Sequence, residues 1–140
     1  MADYLLIAPL IIGAVVGIIE FFAFMRALSG MGGKQIIFLI QAILFGSLFA
    51  FCSVNATYVI SRFGLSSIPL INNVVGMQVA AGLLAAIFAV LVLFLMTTLS
   101  GMGSGMMTFK TELLFSLVIA ALIFAAPYIA PVLSGITGGR

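Results

Sequence analysis

Long apolar stretches separated by short polar or glycine-rich segments are the main pattern of this sequence. Four of them reach the roughly 20 residues that a helix needs to cross a hydrocarbon core of about 30 Å. They cover about residues 5–27, 36–61, 74–98 and 106–133. Backbone groups in lipid are satisfied within a helix, and these runs lack the alternation of barrel strands. The pattern predicts an all-α, polytopic membrane protein with four transmembrane helices in a single membrane domain, residues 1–140.

A glycine-rich hexapeptide occurs twice, each time between two apolar runs. LSGMGG at residues 28–33 returns as LSGMGS at residues 99–104, 71 residues later. Glycine suits a tight turn because it adopts positive φ without a Cβ clash. We therefore predict two tandem helical hairpins, repeat 1 over about 5–62 and repeat 2 over about 74–133. Each repeat holds two spans, so both insert in the same orientation, as a parallel duplication. The glycines assigned to the turns are Gly30, Gly32, Gly101 and Gly103.

The composition indicates that this chain is surrounded by lipid rather than by water. Of its 140 residues, 65% are hydrophobic and only 6% are charged, whereas soluble domains carry roughly 25% charged residues. There is no histidine and one cysteine, Cys52, which argues against histidine-ligated metals, haem, cysteine clusters and histidine-based acid–base catalysis. We expect no metal, no cofactor and no enzymatic activity. The five basic residues are scattered, so we expect no nucleic-acid partner.

Small residues recur at helical spacing in two of the predicted spans. Gly13 and Gly17 form a Gly-x-x-x-Gly pair in the first span, and Gly82, Ala85 and Ala89 follow one stripe of the third. Small residues let helix backbones approach closely in lipid. We interpret both sets as helix-packing positions within the bundle. The alternative is that one stripe is a docking face for another subunit.

Three polar side chains lie within the apolar spans, near the side of the glycine-rich turns. By helix rise, Glu20, Gln41 and Glu112 each lie ~8–10 Å below that surface. Gln41 and Glu112 are 71 residues apart, so the duplication makes them equivalent. Ionisable groups in a span are costly and usually face the protein interior or a cavity. One hypothesis is a proton or cation site with two carboxylates and Gln41 as a neutral ligand. The other is that these groups bond to neighbouring helices or reach the surface.

The predicted location is the cell membrane of a prokaryote, with several spans. Basic residues are more frequent on the cytoplasmic side of membrane proteins. Three lie on the side of the glycine-rich turns and two on the other side, which favours N-out and C-out topology and leaves an N-in arrangement open. The three are Arg26, Lys34 and Lys110, and the two are Arg62 and Arg140.

The sequence shows neither a family motif nor a complete catalytic set. We therefore predict a small non-catalytic integral membrane subunit of a larger membrane complex, for instance one that couples ion movement to energy conversion. The alternative is a homo-oligomeric transporter or channel for protons or small cations. The expected partners are membrane lipid and either other membrane subunits or copies of the chain itself.

Overall fold

The computed structural model describes the backbone of residues 5–27, 35–99 and 109–137, and the side chains of residues 5–23, 36–92 and 113–136. All regular structure in these ranges is helical. The helices are α1 (Ile7–Ala27), α2 (Gln35–Val54), α3 (Ala56–Phe63), α4 (Val74–Leu99) and α5 (Phe109–Thr137), with a 3₁₀ turn at Leu65–Ser67. The prediction of an all-α protein is confirmed for this part of the chain.

Three of the described helices are long and apolar enough to cross a membrane. Their candidate spans are Ile36–Val54, Val74–Val92 and Leu113–Ile136, and α1 supplies a shorter apolar stretch, Ile7–Ala23. The whole of α1 has 21 residues and extends about 31 Å, close to the thickness of a hydrocarbon core. This set of helices fits a multi-pass membrane protein.

The four long helices form a bundle in which α1 packs on α2, α2 on α4, α4 on α5, and α5 on α1. Across the bundle, α2 and α5 also touch extensively, whereas α1 and α4 make only a small contact. The core between them consists largely of alanine and isoleucine. Its buried members are Ile12, Val16, Ala50, Ala81, Ala85, Ala89, Ile119, Ile123 and Ala126.

The second predicted helix is interrupted at Asn55, which separates α2 from α3. The Asn55 backbone has φ −103° and ψ 35°, and its side-chain oxygen accepts a hydrogen bond of 2.7 Å from the Leu5 N–H. The amide nitrogen donates to the carbonyls of Leu5 at 2.9 Å and Phe51 at 3.3 Å. Side-chain bonds to the backbone compete with regular helix. Here they fasten the start of α1 to the end of α2.

The connection between α3 and α4 is ordered by two capping residues. On α3, Val59 is buried and Arg62 is exposed, so this short helix is amphipathic. Gly64 ends α3 in the left-handed conformation, φ 66°, which suits glycine. Asn73 then caps α4, because its side-chain oxygen accepts a hydrogen bond of 2.8 Å from the Gly76 N–H.

The two predicted glycine-rich turns lie outside the described residues, apart from Leu99 at the end of α4. This applies to the glycines assigned to them, Gly30, Gly32, Gly101 and Gly103. The last helix, predicted over about 106–133, runs from Phe109 to Thr137 and contains two prolines, Pro127 and Pro131.

Candidate functional site

A close contact between α1 and α2 positions the first of the predicted site residues. A Cβ atom on Gly17 would lie 2.6 Å from Ile43 Cγ1 and 2.7 Å from the Ile43 backbone nitrogen, and one on Gly13 would overlap Ser47. The glycines therefore let α1 lie directly against the α2 backbone. Glu20 follows Gly17 by three residues and shares its helix face. This contact therefore places the Glu20 carboxyl inside the bundle.

Glu20 is buried, with 7% of its surface exposed, and lines a cavity of about 30 Å³ between α1, α2 and α4. We call this the Glu20 cavity. Its other lining residues are Phe38, Gln41, Ala42, Phe88 and Val92. Gln41 is exposed on the outer side of α2 and borders the same cavity. The structure thus places two of the three predicted polar residues together, one inside the bundle and one at its surface.

The third predicted residue, Glu112, has its backbone in α5, and its side chain lies outside the described residues. Among the residues whose side chains are described, no group of three or more His, Cys, Asp or Glu side chains could hold a metal ion. Within the same residues, Glu20 forms no ion pair or hydrogen bond. Its carboxyl faces the cavity with Gln41 as the nearby polar group.

The other buried polar side chains have different environments. Ser53 donates a hydrogen bond of 2.7 Å from α2 to the Ile123 carbonyl of α5, and Ser116 donates one of 2.8 Å to the Leu113 carbonyl in its own helix. Asn55 is satisfied by the bonds described above. Gln78 is buried near the start of α4, closer to a helix end than Glu20. Sequence reasoning missed the contacts of Ser53 and Asn55, because each joins positions at least 50 residues apart.

The predicted packing residues of α4 lie on two sides of the helix. Ala85 and Ala89 are buried in the core. Gly82 faces α5, where an added Cβ would lie 3.0 Å from the Ala120 carbonyl oxygen. It also forms part of the floor of an open apolar groove of about 310 Å³ between α4 and α5. The groove is lined by Val79, Gly82, Leu83, Leu117, Ala120, Ala121 and Phe124.

Comparison with known proteins finds no matching family model, no similar characterised protein and no similar solved structure.

Proposed function

We propose that this chain is a small non-catalytic integral membrane subunit of a larger membrane complex. Gln41 carries the proposal. It lies in the candidate span Ile36–Val54, about 9 Å along the helix from the start of α2, yet its side chain is exposed. Within the described residues its amide makes no hydrogen bond. An amide has two N–H donors and a carbonyl acceptor, and those that face lipid without a partner cost free energy, which a donor or acceptor on a neighbouring subunit offsets.

The exposed surface around Gln41 is otherwise suited to lipid or to another apolar helix. Ile37, Ile40 and Leu44 are each more than half exposed and lie on the same side of α2. A complex that couples ion movement to energy conversion is one assembly in which such a subunit serves. No catalytic set is present among the described residues to favour an enzyme over a subunit.

Purification through a tag on this chain in mild detergent tests the proposal. Co-purification of other membrane proteins in fixed stoichiometry is the expected result, and Gln41→Leu should reduce it. Gln78→Leu is the matched control, because it makes the same change at a buried amide and should leave co-purification intact. Recovery of the wild-type chain only as a monomer would contradict the proposal.

We also propose that the two hairpins arose by tandem duplication, in a register that differs from the hexapeptide offset of 71. Val16 is fully buried, but Ile87, 71 residues later, is 54% exposed. Burial instead repeats after 69 residues from α1 to α4 and after 73 residues from α2 to α5. The pairs are Ala8 and Met77, Ile12 and Ala81, Val16 and Ala85, Glu20 and Ala89, Gly46 and Ile119, Ala50 and Ile123, and Ser53 and Ala126.

The shifted register changes which residues correspond between the two hairpins. Gln41 then corresponds to Leu114, which is also exposed, rather than to Glu112. An experimental structure tests this directly: α1 and α2 should superpose on α4 and α5 by rotation about an axis near the membrane normal. A superposition that requires inversion would contradict a parallel duplication.

For location, we propose the cell membrane of a prokaryote with both termini outside. The support is the distribution of basic residues: Arg26, Lys34 and Lys110 lie near the glycine-rich turns, and only Arg62 and Arg140 lie at the opposite ends of the spans. A membrane-impermeant maleimide tests the orientation. In a Cys52→Ser background, Ser66→Cys places a thiol at an exposed position on the same side as the N-terminus. Labelling in intact cells is expected, and labelling only after permeabilisation would indicate N-in.

A second candidate function is a homo-oligomeric transporter or channel for protons or small cations. The observation that favours it is the Glu20 cavity, which a buried carboxyl and the Gln41 side chain both line. Reconstituted alone in liposomes, the chain should then move ions, and Glu20→Gln or Glu112→Gln should change the flux. Flux no greater than that of empty vesicles would exclude this function.

A further inference from the structure

We propose that the Glu20 cavity is a proton site that holds water, and that the Glu20 carboxyl carries the proton. The inference deepens the second candidate function, because it names the proton rather than a metal cation as the ion. The physiological role of this proton site depends on the proposed transport function. The site itself requires no transport.

The size of the cavity matches water. Its volume of about 30 Å³ exceeds the ~10–15 Å³ that one water requires on the same measure. It holds one or two water molecules and excludes a larger organic ligand. Glu20 and Gln41 supply the polar partners that a buried water needs, whereas Phe38, Phe88 and Val92 supply apolar walls.

The small number of oxygen atoms that line the cavity favours a proton over a metal ion. Hard cations such as Mg²⁺ and Ca²⁺ take about six or more oxygen ligands. Glu20 and Gln41 together offer three side-chain oxygens, and the other described lining side chains are hydrocarbon. The one or two waters bring the oxygens to five at most. A proton needs a single carboxyl oxygen, and the bound water gives it a path to and from that oxygen.

The walls of the cavity are held by contacts on two sides. The Phe88 ring packs on Phe45 of α2, with centroids 4.2 Å apart, which fixes α4 beside α2. The contact between Gly17 and Ile43 fixes α1 on the other side. The cavity is thus a product of three packed helices.

Glu20 is the only titratable side chain among the described residues that line the cavity from α1, α2 and α4. The charged side chains nearest the same end of the bundle in sequence lie outside the described residues. They are Arg26, Lys34, Lys110 and Glu112.

Reaction with dicyclohexylcarbodiimide, a lipid-soluble reagent that adds to carboxylic acids, tests the proposal on the full chain in liposomes. Intact-mass and peptide mass spectrometry should locate an adduct on Glu20, formed more slowly as the pH rises. Glu20→Gln should lose this adduct, and Glu112→Gln should retain it. Ala42→Leu, which fills the cavity but leaves every carboxyl group in place, should slow the labelling of Glu20.

Two results would overturn the proposal. One is a wild-type protein in which Glu20 is never labelled, a result that does not depend on the folding of any variant. The other is protection of Glu20 by Na⁺ at constant ionic strength, which would identify a metal-cation site. Ion flux is measured separately. Labelled Glu20 without flux would exclude the transporter while leaving the proton site intact, so the two failures are distinguishable.

Discussion

Gly17→Ala tests whether the close contact between α1 and α2 determines the stability of the bundle. The added Cβ would lie 2.6 Å from Ile43 Cγ1, 2.7 Å from its backbone nitrogen and 2.8 Å from its Cα. Favourable carbon contacts are about 3.5–4.0 Å, so the methyl group is roughly 1 Å too close. Two of the three atoms belong to backbone, and a change of side-chain rotamer cannot relieve the overlap. The helices must separate.

The expected cost follows from two opposing terms. Forced overpacking of a well-packed core costs typically 1–3 kcal/mol. Replacing glycine by alanine inside a helix contributes about 0.5–1 kcal/mol of stability in return. The cost of the overlap exceeds the gain in helix propensity. We therefore expect Gly17→Ala to lower the free energy of unfolding by about 1–2 kcal/mol. Separation of α1 from α2 should also displace Glu20, which is one turn further along the same face.

The matched control is Gly135→Ala in α5. A Cβ added there meets nothing within 4 Å, so the substitution retains the gain in helix propensity without the overlap. Unfolding of the purified proteins by sodium dodecyl sulfate in mixed micelles, followed by circular dichroism, gives both free energies. We expect Gly135→Ala to equal or exceed the wild type. A Gly17→Ala variant as stable as Gly135→Ala would refute the reasoning.

Three further substitutions test local features of the fold in the same unfolding assay. Asn55→Leu removes the bonds to Leu5 and leaves a backbone N–H without its partner, so we expect a loss of about 1–3 kcal/mol. Ser53→Ala removes one bond between α2 and α5 and should cost about 0.6 kcal/mol, the average for such bonds in a membrane bundle. Gly64→Val places a β-branched residue at positive φ and should cost about 1–2 kcal/mol, with a smaller loss for Gly64→Asn. An equal loss for both Gly64 variants would show that backbone conformation is not the cause.

The helix positions could be predicted from sequence because lipid sets a minimum length for an apolar span. The helix predicted at 74–98 is α4, Val74–Leu99, and the helix predicted at 5–27 is α1, which starts two residues later. The interruption at Asn55 could not be predicted in this way. The Asn55 side chain forms two hydrogen bonds with Leu5, 50 residues away, and apolar periodicity carries no information about them.

The faces of the helices were harder to predict than their ends. An apolar helix with no polar side has no amphipathic signal to indicate which residues face the core. Helix rise predicted similar depths for Glu20 and Gln41, and the structure places both at one cavity. It could not show that Glu20 is buried while Gln41 is exposed. In the structure, Ile43 and Ser47 face α1 at Gly17 and Gly13, and Gln41 lies about 200° around the helix from Ile43.

The distribution of side-chain sizes explains why a cavity forms beside Glu20. In lipid, burying a large apolar side chain brings little gain, so the interior of this bundle is rich in alanine and many of its large residues face outward. Glycines bring the backbones of α1 and α2 together at Gly13 and Gly17. Towards the glycine-rich turns, Phe38 and Phe88 are the neighbours instead, and rigid rings do not fill the space around a carboxyl as small side chains do. The cavity therefore lies where packing of small residues gives way to aromatic packing, with the buried carboxyl of Glu20 at that boundary.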